Sequence, residues 1–267
     1  MNTLKQRLKA GEFVAAAWAE LGSPDVAEIL VRHGWPVIVI DGEHGIGELE
    51  TWVAMARAIE AAGGEVVLRV PEGSETVLKR VLDRGFRSII VPMVHTPEQA
   101  RAVADFCRYP PRGQRGYAAP IVRASQFGVQ ADYARDRAHE DTLLMVQCEH
   151  HIAVDNLREI AAVEGIDAIF LGPNDLSASI GHLERMEEPE PQALFARVES
   201  EAAASGTLLA TIQGAGRNWQ ELRSLGYRFV VGPNDISLLI ASARQAVTDR
   251  DQELTGRTAE TSAQPRY

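Results

Sequence analysis

Lysine is scarce in this sequence, although cationic side chains are not. Among 27 lysine and arginine residues, the lysines are Lys5, Lys9 and Lys79. Lys5 and Lys9 precede the first predicted strand, and Lys79 lies within a predicted helix. An enzyme that forms a Schiff base needs a lysine inside its active site. The positions of the lysines therefore exclude that mechanism.

Cysteines and long apolar runs are also rare. The 267 residues include two cysteines, Cys107 and Cys148, which suits a reducing compartment. No run approaches the roughly 18 apolar residues of a membrane span, and the amino terminus lacks the pattern of a secretion signal. The net charge of −10 disfavours nucleic acid and anionic membranes as partners. We therefore expect a cytoplasmic protein that acts on a small molecule.

The sequence contains eight short, β-rich apolar runs, and segments with helical periodicity separate most of them. Eight β-then-α units predict an α/β fold, a (β/α)₈ TIM barrel in a single domain. A doubly wound sheet would need a glycine-rich loop after the first strand, where Ala17-Trp18-Ala19-Glu20 stands instead. The predicted strands are 14–18, 36–41, 65–70, 87–93, 143–149, 168–172, 207–212 and 228–232, and the clearest helical segments are 49–62, 74–84, 96–108 and 154–163.

The chain divides into a barrel and a tail. We assign residues 1–250 to the barrel domain and residues 251–267 to a polar carboxyl-terminal tail, which we expect to be disordered. One connection, residues 109–142, exceeds the ~12 residues that are typical of a featureless loop. We expect it to be functional or to cover an opening of the barrel.

Polar side chains gather where the predicted strands end. The carboxyl ends of barrel strands share one rim, and alternation sorts the side chains of each strand by face. Gln147 and Glu149 share one face of the fifth strand, whereas Cys148 points towards the helices. The residues predicted at the rim are Asp41, Glu43, His44, Arg69, Gln147, Glu149 and Asp175.

Two interpretations of these rim residues remain open. A single carboxylate at a strand end is often a helix cap or an ion-pair partner, so Asp175 could cap a helix, and we expect Asp235 to do only that. Several buried acids together need a compensating cation, however. Glu149 and Asp175 would then form an oxygen-rich site for a hard divalent ion. His150 is a weaker candidate ligand, because adjacent histidines point in divergent directions.

Several motifs occur in a fixed order between Trp18 and about Leu239. They are Ile40-Asp41-Gly42-Glu43-His44-Gly45, Leu68-Arg69-Val70-Pro71, Val91-Pro92-Met93-Val94, Tyr109-Pro110-Pro111-Arg112-Gly113-Gln114-Arg115-Gly116, Arg123-Ala124-Ser125, Val146-Gln147-Cys148-Glu149 and Phe170-Leu171-Gly172-Pro173-Asn174-Asp175-Leu176-Ser177. Together they resemble the class II, metal-dependent pyruvate aldolases of the HpcH/HpaI type. The resemblance implies a (β/α)₈ barrel, a homohexamer built as a dimer of trimers with exchanged carboxyl-terminal helices, and Mg²⁺, Mn²⁺ or Co²⁺ as the metal, with Zn²⁺ as a further candidate.

The resemblance also implies a reaction and the residues that perform it. The reaction is the reversible cleavage of 4-hydroxy-2-oxo acids to pyruvate and an aldehyde through a metal-stabilised pyruvate enolate. Glu149 and Asp175 would hold the metal, Arg69 would bind the developing oxyanion, and His44, oriented by Asp41, would remove the 4-hydroxyl proton. The implied substrate-binding residues are Gln147, the loop Gly172, Pro173, Asn174 and Asp175, and, at the aldehyde, Trp18 and Ile212.

The sequence departs from the family at two places and leaves other functions open. His150 stands where the family commonly has threonine, and the stretch Ile212-Gln213-Gly214-Ala215-Gly216 is unusual. Glu43 has no firm role beyond contact with metal-bound water. The alternatives are a metal-dependent decarboxylase of oxaloacetate-like acids, a citrate-lyase-like enzyme of CoA thioesters, and a non-catalytic ligand-binding barrel.

Overall fold

A computed structural model describes residues 2–255 of the chain. Its eight strands are parallel, each pairs with the next along the chain, and the eighth pairs with the first. The predicted (β/α)₈ barrel is therefore confirmed, and the strands differ from the predicted ones only at their ends. The strands are β1 (Val14–Ala19), β2 (Val37–Asp41), β3 (Glu65–Arg69), β4 (Ser88–Val91), β5 (Leu143–Cys148), β6 (Ala168–Leu171), β7 (Leu208–Ile212) and β8 (Tyr227–Asn234).

Helices surround the barrel, and cap residues mark where several of them begin. Ser23, Ser74 and Thr96 each accept a hydrogen bond from a main-chain N–H in the first turn of the helix that follows. The helices are α1 (Thr3–Lys9), α2 (Pro24–Arg32), α3 (Leu49–Ala61), α4 (Glu75–Asp83), α5 (Pro97–Cys107), α6 (Ala138–Asp141), α7 (His151–Asp155), α8 (Leu157–Ala161), α9 (Pro173–Ala178), α10 (Pro189–Ser205), α11 (Trp219–Ser224) and α12 (Asp235–Thr255).

The helix predicted over residues 154–163 is wrong as a single element. The structure has two short helices here, α7 and α8, which are separated at Asn156. Asn156 has φ −99° and ψ 5°, outside the helical range, and its side-chain amide donates to the carbonyl of His95. The apolar periodicity continues across this break, so the sequence pattern alone does not reveal it.

The strands bury both of their faces, as parallel strands in a barrel do. Val37, Val39, Val67 and Met145 belong to a cluster that fills the interior of the barrel. Cys148 packs in the other cluster, between the strands and the helices, as the alternation predicts. The period-2 pattern therefore identifies which side chains face the interior.

The amino-terminal end of the barrel is closed by α1. Leu4 and Leu8 from this helix pack into the interior cluster. The Asn2 side chain donates hydrogen bonds to Ser88 and to the carbonyl of Asp141. Because residues 109–142 connect α5 to β5, this long connection also lies at the amino-terminal end. It contains two 3₁₀ turns, one π-helical turn and a small apolar cluster of its own.

The last helix extends into the predicted tail. α12 continues to Thr255, so residues 251–255 are helical, and the rest of the predicted tail lies outside the described residues. Among residues 2–255, none of the helices combines the length and the apolar character that a membrane crossing requires.

Candidate active site

The loop after β2 turns back tightly over the end of its own strand. A Cβ atom on Gly42 would lie 2.7 Å from the Arg69 carbonyl oxygen, and one on Gly45 would overlap the Asp41 carbonyl oxygen. Both glycines are therefore needed for the close approach of main chain to main chain. The turn places Glu43 and His44 above the barrel mouth.

Arg69 is held between two carboxylates at the end of β3. Its Nε and Nη2 donate to the Asp41 carboxylate at 2.9 and 2.6 Å, and its Nη1 lies 3.1 Å from Glu43 Oε2. The guanidinium carbon stands 4.6 Å above the Trp18 ring. Burial by itself would lower the pKa of Arg69, but the hydrogen bond to Asp41 and the charges of Asp41, Glu43 and Glu149 together raise the pKa above its usual value. Arg69 is thus a permanently charged group with a fixed orientation.

Asp41 contacts His44 through the main chain. Its Oδ1 accepts hydrogen bonds from the N–H groups of Glu43 and His44 at 3.0 and 3.3 Å. The His44 ring instead lies beside Glu43, with Nε2 3.7 Å from Glu43 Oε2. Among the described residues Asp41 therefore contacts His44 through the main-chain N–H, and the carboxylate beside the His44 ring is that of Glu43. The orienting role of Asp41 stays a prediction.

Glu149 is a buried acid of the site, as Asp41 is. Its Oε1 accepts a hydrogen bond of 2.6 Å from the N–H of Met93, and its Oε2 accepts one from the Gln147 amide. Gly172 makes room for this carboxylate, because a Cβ there would lie 2.8 Å from Oε2. Burial raises the pKa of Glu149 to about 7, and the carboxylates of Glu43 and Asp175 add to the effect of burial.

Asp175 faces Glu149 from the first turn of α9. The helix begins at Pro173, so the possibility that Asp175 caps a helix starting at Leu176 is wrong. Within the described part of the chain no side chain caps α9, and Asp175 is exposed. Its charge acts on both Glu43 and Glu149. The carboxylates of Glu43 and Asp175 thus lie near enough to Glu149 to affect its pKa, and the Arg69 guanidinium lies beside Glu43.

The carboxylates fit a divalent cation that keeps open coordination positions. Mutual repulsion and burial disfavour the charged form of Glu149, and a cation would relieve both effects. Within residues 2–255 no group of three His, Cys, Asp or Glu side chains has a geometry that could hold a metal. Glu149 and Asp175 could supply two ligands, with water or substrate oxygens as the others.

The predicted substrate-binding residues line the same end of the barrel. Gln147 Oε1 is buried and has no hydrogen-bond partner among the described residues. Asn174 and Asp175 lie in the first turn of α9, where main-chain N–H groups lack intrahelical acceptors. Trp18 and Ile212 both pack against the interior cluster. The structure thus brings the predicted residues of six strand ends together.

His150 contacts neighbouring histidines, and Cys148 packs between the strands and the helices. The His150 ring stacks on His95 at 4.8 Å between centroids and lies 4.3 Å from the His151 ring. Its Nδ1 accepts a hydrogen bond from the N–H of Ile152. Burial raises the pKa of the Cys148 thiol to about 12, so it is no nucleophile.

Sequence reasoning missed three contributors to the site. Met93 has a left-handed φ of 58° that aims its N–H at Glu149, and no local sequence signal predicts it. Glu20 follows β1 at the rim, where extending the alternation of that strand by one step would have found it. Asp235 is buried and accepts hydrogen bonds from the N–H groups of Glu20 and Leu21. The expectation that Asp235 only caps a helix is therefore wrong.

Comparison with known proteins gives the same family as the motifs. The sequence model of the HpcH/HpaI aldolase/citrate lyase family matches residues 15–242. The hydroxypyruvate/pyruvate aldolase of Agrobacterium fabrum is 38% identical over 239 residues, which cover 88% of this chain and 88% of that protein. The 5-keto-4-deoxy-D-glucarate aldolase of Escherichia coli is 34% identical, with 93% of this chain and 96% of that protein covered.

A solved structure extends this likeness to three dimensions. A HpcH/HpaI aldolase/citrate lyase family protein from Burkholderia cenocepacia is 34% identical and superimposes with a TM-score of 0.88. The match covers 94% of this chain and 100% of that one. The chain therefore belongs to the HpcH/HpaI aldolase/citrate lyase family and is an aldolase of that family.

Proposed function

We propose that the protein reversibly cleaves 4-hydroxy-2-oxo acids to pyruvate and an aldehyde. The observation that carries this proposal is the buried Glu149 carboxylate, which faces Glu43 and Asp175 beside the Arg69 guanidinium. The carboxylates would hold a divalent cation, and that cation together with Arg69 would stabilise an oxyanion that develops next to a bound carboxylate. The names of the relatives, which include pyruvate and keto-deoxy sugar acid aldolases, support the same reaction.

Glu149 and Asp175 are the residues that would hold a divalent cation, with Mg²⁺, Mn²⁺ and Co²⁺ as the candidates. Two carboxylates leave room for water and substrate, which suits these hard ions better than a closed zinc site. When bound, the cation would supply Lewis acidity and neutralise negative charge on the substrate.

Three groups of this chain would bind the pyruvate portion. Arg69 presents its guanidinium to the 2-oxo oxygen, where negative charge grows as the bond between carbons 3 and 4 breaks. Gln147 offers its amide, and the N–H groups of Asn174 and Asp175 would receive the carboxylate at the start of α9. Because Asp41 and Glu43 hold Arg69 in place, little reorganisation is needed.

His44 would act as the base on the 4-hydroxyl. The ring would accept the hydroxyl proton through a water molecule as the aldehyde carbonyl forms, and the electron pair of the broken bond would pass to the pyruvate portion. The pyruvate then takes a proton at carbon 3. We assign the orientation of the ring to Glu43, because Glu43 Oε2 lies 3.7 Å from Nε2.

Decarboxylation of oxaloacetate-like acids is the second candidate. Loss of carbon dioxide leaves the same electron pair on the pyruvate portion, so Arg69 and Glu149 would serve both reactions. This reaction needs no hydroxyl base, and the His44 side chain is 69% exposed, whereas that of Arg69 is 14% exposed. The residues that would stabilise the enolate are therefore better enclosed than the base.

We propose that the protein is a homo-oligomer, with a hexamer as the expected form. Across the described length of α12, Asp235 is the only buried residue. The helix carries exposed Leu239, Ile240 and Val247, which its own barrel does not cover. A second copy of the chain would bury this apolar surface.

The test is a metal-dependent assay of pyruvate release. The full chain is stripped of metal with a chelator, incubated with 4-hydroxy-2-oxo acids, and then supplied with Mn²⁺ or Mg²⁺. We expect pyruvate release to return with the metal in the wild type and in Glu159→Gln, an exposed matched control, but not in Glu149→Gln. Absence of metal-dependent pyruvate release across a range of chain lengths would refute the proposal.

A further inference from the structure

Glu20 is a carboxylate at the barrel mouth that has no part in the proposed chemistry. Along β1, Val14, Ala16 and Trp18 face the interior of the barrel, whereas Ala17 and Ala19 pack against the helices. Glu20 is the next residue. Alternation therefore directs its side chain to the interior face, one step beyond Trp18 and towards the mouth.

The main chain holds Glu20 beside the loop that carries His44. Its N–H donates to both oxygens of Asp235 at 3.0 and 3.1 Å, and its carbonyl accepts from the N–H of Ile46 at 2.7 Å. A Cβ on Gly45 would lie 3.2 Å from the Glu20 Cα. Glu20 is thus fixed between the start of α12 and the loop after β2.

The surroundings of Glu20 are more negative than positive. The side chain is half-buried, and burial raises its pKa, with Asp41 and Asp235 adding to the effect of burial and Arg69 and His44 opposing it. Arg69 is already paired with Asp41 and Glu43. A second anion that entered this part of the mouth would therefore meet uncompensated negative charge.

We propose that Glu20 determines which aldehydes the enzyme accepts: it favours neutral, hydroxyl-bearing aldehydes and disfavours aldehydes that carry a carboxylate. The inference rests on the proposed function, in which His44 acts at carbon 4, so that the rest of the aldehyde lies next to Glu20. A carboxylate accepts a hydrogen bond from a hydroxyl group and repels another carboxylate. Glu20 is a specificity residue and takes no proton in the reaction.

Three aldehydes of equal carbon number test this assignment. Glycolaldehyde carries a hydroxyl, acetaldehyde carries neither group, and glyoxylate carries a carboxylate. Each is added to pyruvate and the metal-loaded enzyme at pH 8, and kcat and KM are measured for aldol addition. We expect the wild type to prefer glycolaldehyde to acetaldehyde and acetaldehyde to glyoxylate.

Variants of Glu20 separate charge from hydrogen bonding. In Glu20→Gln we expect kcat/KM for glyoxylate to rise about tenfold relative to glycolaldehyde, mainly through a lower KM. In Glu20→Ala the preference for glycolaldehyde over acetaldehyde should also disappear, whereas Glu20→Asp should keep the wild-type order. Glu48→Gln removes a charge from an exposed residue of the loop after β2 and should change none of these ratios.

The outcomes distinguish this inference from the proposed function. If aldol addition proceeds but Glu20→Gln keeps the wild-type ratio of glyoxylate to glycolaldehyde, the assignment of Glu20 is overturned and the proposed function stands. If the wild type neither adds any of the three aldehydes nor decarboxylates oxaloacetate, the proposed function falls and the assignment of Glu20 falls with it.

Discussion

Arg69 binds the Asp41 carboxylate through two parallel hydrogen bonds, Nε to Oδ1 at 2.9 Å and Nη2 to Oδ2 at 2.6 Å. A lysine would keep the charge but could not reproduce this two-pronged geometry. We expect Arg69→Lys to lower kcat for pyruvate release by about 100-fold, which is typical for the loss of one oxyanion donor. Steady-state kinetics with a 4-hydroxy-2-oxo acid measures the change.

The control for this variant is an arginine in an exposed ion pair. Arg101 pairs with Glu98 on the surface of α5, where such pairs contribute little. Arg101→Lys should leave kcat unchanged. Equal activity in Arg69→Lys and Arg101→Lys would show that catalysis does not depend on the two parallel hydrogen bonds between Arg69 and Asp41.

Gly172 leaves the space that the Glu149 carboxylate occupies. A Cβ there would lie 2.8 Å from Oε2 and 2.9 Å from the Glu149 Cβ. Because Gly172 has φ −96°, alanine is not strained by its own main chain. We expect Gly172→Ala to weaken Mn²⁺ binding at least about tenfold and to cost roughly 1–3 kcal/mol of stability from overpacking. Calorimetric titration and urea unfolding measure the two effects.

Gly214 provides the control for the Gly172→Ala variant. A Cβ at Gly214 would meet only the Ile212 Cδ1, at 3.9 Å, which is ordinary van der Waals contact. Gly214→Ala should therefore bind Mn²⁺ like the wild type. Comparable losses of affinity in both variants would place the metal away from Glu149.

The strand ends and the inward side chains were predictable, because a parallel barrel imposes a period of two and a common rim. That reasoning places Arg69 and Glu149 correctly, at the ends of β3 and β5. It does not decide which donor binds the Asp41 carboxylate, because the Arg69 guanidinium and the His44 ring are equally plausible donors when only the sequence is known. The left-handed Met93 was also unpredictable, because non-glycine residues rarely adopt positive φ and those that do are most often asparagine, aspartate or histidine.

The pKa of Glu149, raised to about 7 by burial and by nearby carboxylates, predicts pH-dependent metal binding. Below pH 7 the carboxyl holds a proton that a cation must displace, and above pH 7 it is already ionised. The affinity for Mn²⁺ should therefore rise up to about tenfold per pH unit below pH 7 and level off above it. Titrations between pH 5.5 and 8.5 measure this. A flat affinity over this range would contradict the role of Glu149 as a ligand.

His44 and Glu43 give a prediction that separates the two candidate reactions. Aldol cleavage requires removal of the 4-hydroxyl proton, whereas decarboxylation of oxaloacetate does not. We expect His44→Ala to lose aldol cleavage by about 10²–10⁴-fold, the usual contribution of a general base, while metal binding and decarboxylation persist. Pyruvate release from each substrate, measured on the same preparation, provides the comparison.

Glu43→Gln tests whether the carboxylate beside His44 orients the ring. Glutamine keeps the size of Glu43 but removes the charge that lies 3.7 Å from His44 Nε2 and 3.1 Å from Arg69 Nη1. Only aldol cleavage uses His44 as a base. Loss of the contact between the Glu43 carboxylate and the His44 ring should therefore lower the rate of aldol cleavage more than the rate of decarboxylation. If Glu43→Gln lowers both reactions equally, the carboxylate acts through Arg69 instead, and the orientation of the His44 ring must come from the substrate or its bound water.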